Sequence, residues 1–229
     1  MKKRIAVLLS NKGTGSNLAA ILKAIDEKKI RNGRVVVVVS NKDDAYGLVR
    51  ARERQIRTVV FDLKDFRQKG KTRREYDEAL GKLLKEKYRI DLVVLAGWML
   101  ILSDAFIKYF PNKAINLHPS LLPDVGEEYI IYKNKIKIKP IRGEHTDMAV
   151  QFAIDKHYPI AGSTVHFITP VVDCGPVIIR SEVEIQPDDS AETLFARMKV
   201  EEHEILPQAI AWFCEDKLRI KKIGKVEIV

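Results

Sequence analysis

The chain has 229 residues, of which 46% are hydrophobic and 31% charged; such proportions are typical of a globular protein with a buried core and exclude a disordered chain. No apolar run approaches the roughly 18 residues that a membrane-spanning helix needs, so no membrane partner is expected. The formal net charge of +9 fits either an acidic ligand or a lysine-rich surface, and without an RNA-binding signature we expect no nucleic-acid partner.

The first half of the sequence alternates β-rich runs with amphipathic helical patterns. Strands are predicted at 4–9, 34–40, 57–62, 90–98 and 113–118. Helices are predicted at 16–29, 43–54, 73–88 and 103–109. We expect Ser16 or Asn17 to cap the first helix. A β-α-β-α-β series of this kind predicts a parallel sheet with right-handed crossovers.

The second half of the sequence has a different pattern. Isoleucine and lysine alternate within a basic segment at about 125–142, which predicts a hairpin with Asn134 near its turn. The remaining elements are a helix begun by Asp147, neighbouring strands at 161–169 and 176–185, a long helix at 190–216 and a small hairpin at about 217–229. Pro207 should kink or break the long helix. With no linker or repeat, a single domain over 1–229 is expected.

A glycine-containing loop, SNKGTGSNL at residues 10–18, lies between the first strand and the first helix. Glycines let main-chain amides approach a ligand, and the N-terminus of a helix favours an anion. Leu18 stands where the third glycine of a dinucleotide fingerprint would fall, and no Gly-Lys-Ser/Thr closes the loop as in a Walker motif. The loop therefore predicts a phosphate cradle, with an ordinary tight turn as the alternative.

Asn116 and His118 share one face of a predicted strand in the stretch INLHPSLLP. They lie at its carboxyl end, where open α/β sheets place their sites, and an amide beside a protonatable ring can hold an oxyanion and move a proton. Asp173, in a DCGP turn, could favour the charged form of an imidazole or be only a turn former. Because the sequence has no G-x-S-x-G elbow, these residues indicate acyl transfer by direct attack of a substrate amine.

Seven motifs follow one another along nearly the whole chain: GTGSNLAAIL, SNKDDAYGLVRA, DLVVLAGWMLILS, INLHPSLLP, GSTVHFIT, DCGPVI and EEHEILP. Their order resembles that of the folate-dependent phosphoribosylglycinamide formyltransferases. The resemblance implies an α/β, Rossmann-like formyltransferase fold, with a mostly parallel central sheet flanked by helices and antiparallel strands in the C-terminal half. It also implies a cytoplasmic enzyme of purine (IMP) biosynthesis that passes the formyl group of 10-formyltetrahydrofolate to the amine of glycinamide ribonucleotide.

The resemblance assigns roles to individual residues. Asn116, His118 and Asp173 match the catalytic residues, with His118 transferring protons and Asp173 raising the pKa of His118. His166 matches a supporting histidine. The ribonucleotide site is implied at Thr14, Gly15, Ser16, Asn17, Lys199, Val200, Glu201 and Glu202. The folate site is implied at Arg73, Met99, Leu100, Ile101, Leu102, Asn116, Thr169, Pro170, Val171, Val172 and Asp173.

The chain departs from the family pattern in three places. Asn11 and Lys12 lengthen the phosphate loop, and Leu100 stands where many members have arginine. The basic segment at about 125–142 follows Pro123 in place of an aromatic-Pro-Gly turn. That segment could gate the folate site, bind an acidic glutamate tail, build a dimer contact or be an inert hairpin.

Other functions remain open at this point. Within the superfamily they are a sugar-nucleotide formyltransferase and a formyltetrahydrofolate hydrolase; outside it, a non-catalytic folate or nucleotide binder, or more remotely an NAD-dependent dehydrogenase. No metal is expected, because His145 and His157 lack paired ligand spacing, as do Cys174 and Cys214. A homodimer is compatible with the sequence.

Overall fold

Parallel strands and covering helices form the N-terminal half of the computed structural model, which describes residues 1–10, 13–133, 135–143, 146–222 and 224–229. Four residues named in the sequence predictions lie outside the described residues: Asn11, Lys12, Asn134 and His145. The chain divides into two compact units, Met1–Ile115 and Asn116–Val229. Among the described residues, none of the helices is both long and apolar enough to cross a bilayer.

The first unit is a β-α-β series. Its strands are β1 (Lys3–Leu9), β2 (Gly33–Ser40), β3 (Arg57–Val60), β4 (Leu92–Leu95) and the beginning of β5 (Ala114–His118). Its helices are α1 (Ser16–Asp26), α2 (Tyr46–Glu53), α3 (Leu63–Gln68), α4 (Arg73–Lys82), which continues into a π-helical turn at Leu83–Lys87, and α5 (Asp104–Ile107). The strand order is β3-β2-β1-β4-β5, and β1 pairs in parallel with both β2 and β4.

Burial on both faces explains the continuous aliphatic runs of this sheet. Val37, Val38 and Val39 of β2 are all completely buried, although neighbouring strand residues point to opposite faces. The fully buried Leu18 and Ile21 show which side of α1 packs inward. The parallel sheet expected from the β-α alternation is therefore confirmed.

The second unit contains the antiparallel part of the fold. Its strands are the end of β5, β6 (Ile130–Tyr132), β7 (Ile136–Ile138), β8 (Ile160–Phe167), β9 (Val177–Glu184), β10 (Leu218–Ile220) and β11 (Val226–Ile228). Its helices are α6 (Thr146–Asp155) and α7 (Ala191–Cys214). The strand order β5-β8-β9 places β8 between β5 and β9, and β8 and β9 are antiparallel. The antiparallel pairs β6-β7 and β10-β11 are the two predicted hairpins.

Several local details differ from the sequence predictions. Gly15 rather than Ser16 or Asn17 occupies the N-cap of α1, because the chain enters the helix in a left-handed conformation with φ of 67°. Pro207 lies inside α7 and does not break it, because buried Leu206 and Ile210 continue one apolar face past it; a kink at Pro207 stays a prediction. The short helix α3 was not predicted, and α6 begins one residue earlier than expected, at Thr146.

Close approach of two strands makes Gly162 sensitive to substitution. A Cβ at Gly162 would lie 1.9 Å from the carbonyl oxygen of Ser181 on the paired strand. We expect Gly162→Ala to lower the free energy of unfolding by about 1–3 kcal/mol and the Tm by several degrees, as overpacking does. Thermal unfolding followed by circular dichroism would measure it. Gly13→Ala is the matched control, since its Cβ would meet nothing closer than 4.0 Å; equal Tm values would contradict the prediction.

Candidate active site

Four polar side chains of the second unit come together at strand ends. Asn116 and His118 end β5, His166 belongs to the neighbouring β8, and Asp173 lies in the connection between β8 and β9. His118 and His166 are both buried, with 4% and 1% of their surface exposed. The cluster therefore unites the three predicted catalytic residues with the predicted supporting histidine.

Both ring nitrogens of His118 face oxygen atoms. Nε2 lies 2.6 Å from the carbonyl oxygen of Ile141, and Nδ1 lies 3.4 Å from Oδ2 of Asp173. A carbonyl oxygen can only accept a hydrogen bond, so Nε2 must carry a hydrogen. A second proton on this ring would bind at Nδ1, where it would face the carboxylate.

His166 fixes the orientation of the Asn116 amide. Nδ1 of His166 lies 2.9 Å from the carbonyl oxygen of Phe167 and must donate to it. In the neutral ring Nε2 is then an acceptor, and it lies 3.3 Å from Nδ2 of Asn116, which donates. The same Nε2 is 3.5 Å from Oδ1 of Asp173. His166 thus supports the site by holding one hydrogen of the Asn116 amide.

Asp173 is held as an anion. Its main chain has a left-handed φ of 50°, and the N–H of Gly143 donates to Oδ2 at 2.9 Å. Burial would raise the pKa of Asp173, but the interactions with His166 and His118 and the Gly143 N–H outweigh burial and lower the pKa to about 2. The carboxylate is therefore charged throughout the physiological range.

Two opposing effects set the pKa of His118. Burial of the ring lowers this pKa below the usual 6.5, and only part of that effect is offset by the charge of Asp173 and the hydrogen bond to Ile141. Asp173 acts in the direction that the resemblance implies, because its negative charge raises the pKa of His118, while desolvation of the imidazolium acts against it and is the larger effect.

The predicted phosphate loop of the first unit is shaped by close main-chain packing. A Cβ at Gly15 would lie 2.8 Å from Cα of Gly47, so only glycine fits beside α2 in this conformation. Nε of Arg50 donates to the carbonyl oxygen of Thr14 at 2.8 Å and ties the loop to α2. Ser16 and Asn17 form the first turn of α1, where main-chain amides point away from the helix.

A buried carboxylate organises the predicted folate segment Met99–Leu102. Asp77, which is completely buried, accepts hydrogen bonds at 2.9 Å from both Nε of Arg73 and the N–H of Ser103. Arg73 also donates to the carbonyl oxygen of Ile101. The side chain of Ile101 remains 62% exposed. The C-terminal end of the segment is thus fixed, while the apolar side chain of Ile101 stays exposed.

The remaining predicted site residues lie in two parts of the second unit. Thr169 to Val172 follow β8, where the Thr169 hydroxyl donates to the carbonyl oxygen of Val171, whose side chain is 64% exposed. Within α7, Val200 and Glu201 are exposed, whereas Glu202 is buried and accepts a 2.9 Å hydrogen bond from the Ser163 hydroxyl. Lys199 lies over the ring of Phe195.

Sequence reasoning missed several residues that contact the predicted ones. Asp77 could have been suspected, because it follows the predicted site residue Arg73 by four residues on a predicted helix, and Arg50 because it lies within the motif SNKDDAYGLVRA. Ile141 and Gly143 gave no signal, since they act through main-chain groups that are the same for every residue.

Comparison with known proteins gives consistent relatives. The formyl transferase family model matches residues 3–210. The phosphoribosylglycinamide formyltransferase of Haemophilus influenzae is 39% identical over 96% of this chain and 91% of its own, and that of Escherichia coli is 38% identical over 94% and 89%. Among solved structures, glycinamide ribonucleotide transformylase 1 from Symbiobacterium toebii has a TM-score of 0.83 and 37% identity, covering 100% of this chain and 94% of its own. The formyltransferase fold expected from the motifs is confirmed.

The low pKa of Asp173 predicts how stability depends on pH. An unfolded aspartate titrates near pH 4, so the ionised native carboxylate contributes about 2 kcal/mol at neutral pH that disappears between about pH 4 and pH 2. We expect the free energy of unfolding of Asp173→Asn to be lower than that of the wild type by about this much at pH 7. We also expect it to fall less steeply between about pH 4 and pH 2, as measured by urea unfolding. Asp188→Asn removes an exposed carboxylate as the control. Parallel pH profiles for wild type and Asp173→Asn would contradict the assignment.

Proposed function

The chain belongs to the formyl transferase family, and we propose that it transfers the formyl group of 10-formyltetrahydrofolate to the amine of glycinamide ribonucleotide in purine biosynthesis. Relatives that carry this name match over almost their full length. The family supports formyl transfer, while the named donor and acceptor are part of the proposal. A cytoplasmic location and a homodimer stay predictions from the sequence.

One observation carries the proposal: Asn116, His118 and Asp173 lie in one polar cluster. Nδ1 of His118 faces Asp173, and Nε2, on the other side of the ring, bears a hydrogen. This hydrogen can be donated to the oxygen of a formyl group. The oriented amide of Asn116 supplies a second donor on the same strand end. Such donors stabilise the negative charge that appears on oxygen when a carbonyl carbon is attacked.

The reaction needs no covalent enzyme intermediate. The neutral amine of the ribonucleotide attacks the formyl carbon, and the formyl oxygen takes the negative charge while His118 and Asn116 donate to it. When the tetrahedral intermediate collapses, the bond between the formyl carbon and N10 of the folate breaks. The amine loses one proton and N10 gains one, so the protons balance. The anionic Asp173 stabilises the ring of His118 whenever it becomes positively charged.

The described residues fit the two substrates of this reaction. The glycine-shaped loop at Thr14–Asn17 offers main-chain amides to a phosphate. In the first unit, the exposed side chains of Met99 and Ile101 offer apolar contacts of the kind a planar ring requires. Leu100, where many members have arginine, leaves Arg73 as the cation proposed for the folate side.

A formyltetrahydrofolate hydrolase and a non-catalytic binder are the alternatives that an assay must exclude. We expect purified protein to release tetrahydrofolate from 10-formyltetrahydrofolate only when glycinamide ribonucleotide is present. Release without the ribonucleotide would indicate a hydrolase. Binding of both ligands in calorimetry without any release would indicate a binder.

Removing a catalytic group should reduce turnover while the fold remains. We expect His118→Ala and Asn116→Ala each to lower kcat by about 100- to 1000-fold, as loss of one oxyanion donor does. Steady-state kinetics would measure the change, with circular dichroism confirming the fold. The exposed His157, which lies outside the cluster, provides the control substitution His157→Ala. Near-normal kcat in both site variants would refute these roles.

Tight packing at Gly15 should make the phosphate loop sensitive to substitution. Gly15→Ala places a methyl group against Gly47 and strains a left-handed residue, so the loop must shift. We expect the KM for the ribonucleotide to rise about tenfold or more, with the KM for the folate donor nearly unchanged. Gly13→Ala is the control. An equal rise in both KM values would contradict a phosphate-specific role.

A further inference from the structure

The side chain of Arg50 lies beside the predicted phosphate loop of the first unit. Its Nε donates to the carbonyl oxygen of Thr14 at 2.8 Å, and its Cδ would lie 3.4 Å from a Cβ added at Gly15. The guanidinium also lies over the ring of Tyr46, with Cζ 5.0 Å from the ring centroid. Because Arg50 is held on two sides, its planar head has a defined place next to the loop.

The charge of Arg50 has no counter-ion in the described part of the chain. A guanidinium has five N–H donors, and Thr14 takes only the Nε–H. Arg54, just beyond the end of α2, differs because it pairs with Asp26 at 2.7 Å, whereas no described carboxylate pairs with Arg50. The positive charge of Arg50 is therefore available to an anion from solution.

The start of α1 offers the matching part of an anion site. Its N-cap, Gly15, has no side chain that could accept from the free N–H groups, and the first turn contains no acidic residue. The partial positive charge of the helix N-terminus is thus not balanced by a local carboxylate. Main-chain amides and an arginine lie at the same loop, and both are groups that bind phosphate.

We propose that Arg50 binds the phosphate of the acceptor substrate. Its Nε–H stays on Thr14, and its outer N–H groups donate to the phosphate that the amides of α1 hold. A fixed cation of this kind lets the enzyme favour a phosphorylated acceptor over the same acceptor without its phosphate. The inference rests on the proposed function for the identity of the acceptor, while phosphate binding can be tested without formyl transfer.

Kinetics with two acceptors test this role. Arg50→Met keeps the aliphatic stem and removes the charge, so we expect its KM for glycinamide ribonucleotide to rise about 10- to 100-fold, as loss of a charged hydrogen bond does, with kcat changing less than about twofold. Glycinamide riboside has a hydroxyl group in place of the phosphate, and on it wild type and Arg50→Met should have equal kcat/KM. Arg50→Lys keeps the charge without the planar fork and should fall between them on the ribonucleotide.

Arg52 provides the matched control. It is exposed on α2 two residues from Arg50, and residues at that spacing point to different sides of a helix. Arg52→Met removes the same charge from the same helix, so it measures the effect of general electrostatic attraction. It should leave both KM values unchanged.

Binding of ribose 5-phosphate separates this inference from the proposed function. Calorimetry should show binding to the wild type and to Arg52→Met, and binding about tenfold or more weaker to Arg50→Met. The measurement needs no formyl donor, so it decides the role of Arg50 even if the transfer assay shows no activity.

Three results would overturn the proposal. An equal loss of kcat/KM on both acceptors would mean that Arg50 only shapes the loop. Unchanged binding of ribose 5-phosphate to Arg50→Met would exclude a contact with the phosphate. No binding to the wild type, even at millimolar concentration, would exclude a phosphate site at this loop and with it the role of Arg50.

Discussion

The carboxylate of Asp173 is the interaction on which the candidate site depends. One oxygen faces His118 and the other faces His166, while the Gly143 N–H donates to the carboxylate. His166 in turn orients Asn116. A residue on a loop thus connects two strands and a distant segment, in a left-handed main-chain conformation that aspartate adopts more readily than most residues.

Burial and charge act in opposite directions on this cluster. Burial disfavours a charged imidazole at His118, and the nearby carboxylate favours one. Burial is the larger of the two effects on the pKa of His118, while the geometry makes Nε2–H a hydrogen-bond donor and places Nδ1 against Asp173.

Outside the cluster, the shapes of the phosphate loop and of the segment Met99–Leu102 depend on close main-chain packing and on hydrogen bonds to a buried carboxylate. Gly15 and Gly47 bring the phosphate loop against α2, and Asp77 fixes Arg73 and the main chain of Ser103. These contacts explain why loops that carry ligand-binding residues can keep one shape without secondary structure of their own. Their partners are distant in sequence, as Arg50 and Thr14 are.

The sequence by itself determined the alternation of strands and helices, the parallel first half, both hairpins and the identity of Asn116, His118 and Asp173 as a group. Those features follow from side-chain periodicity and from motifs, which are local. Tertiary structure decided the cap at Gly15, the continuity of α7 through Pro207, the lowered pKa of His118 and the hydrogen bond from Arg142 to the main chain of Asp173. Each of these depends on desolvation or on main-chain groups brought together from distant positions, and neither has a signature in the order of side chains.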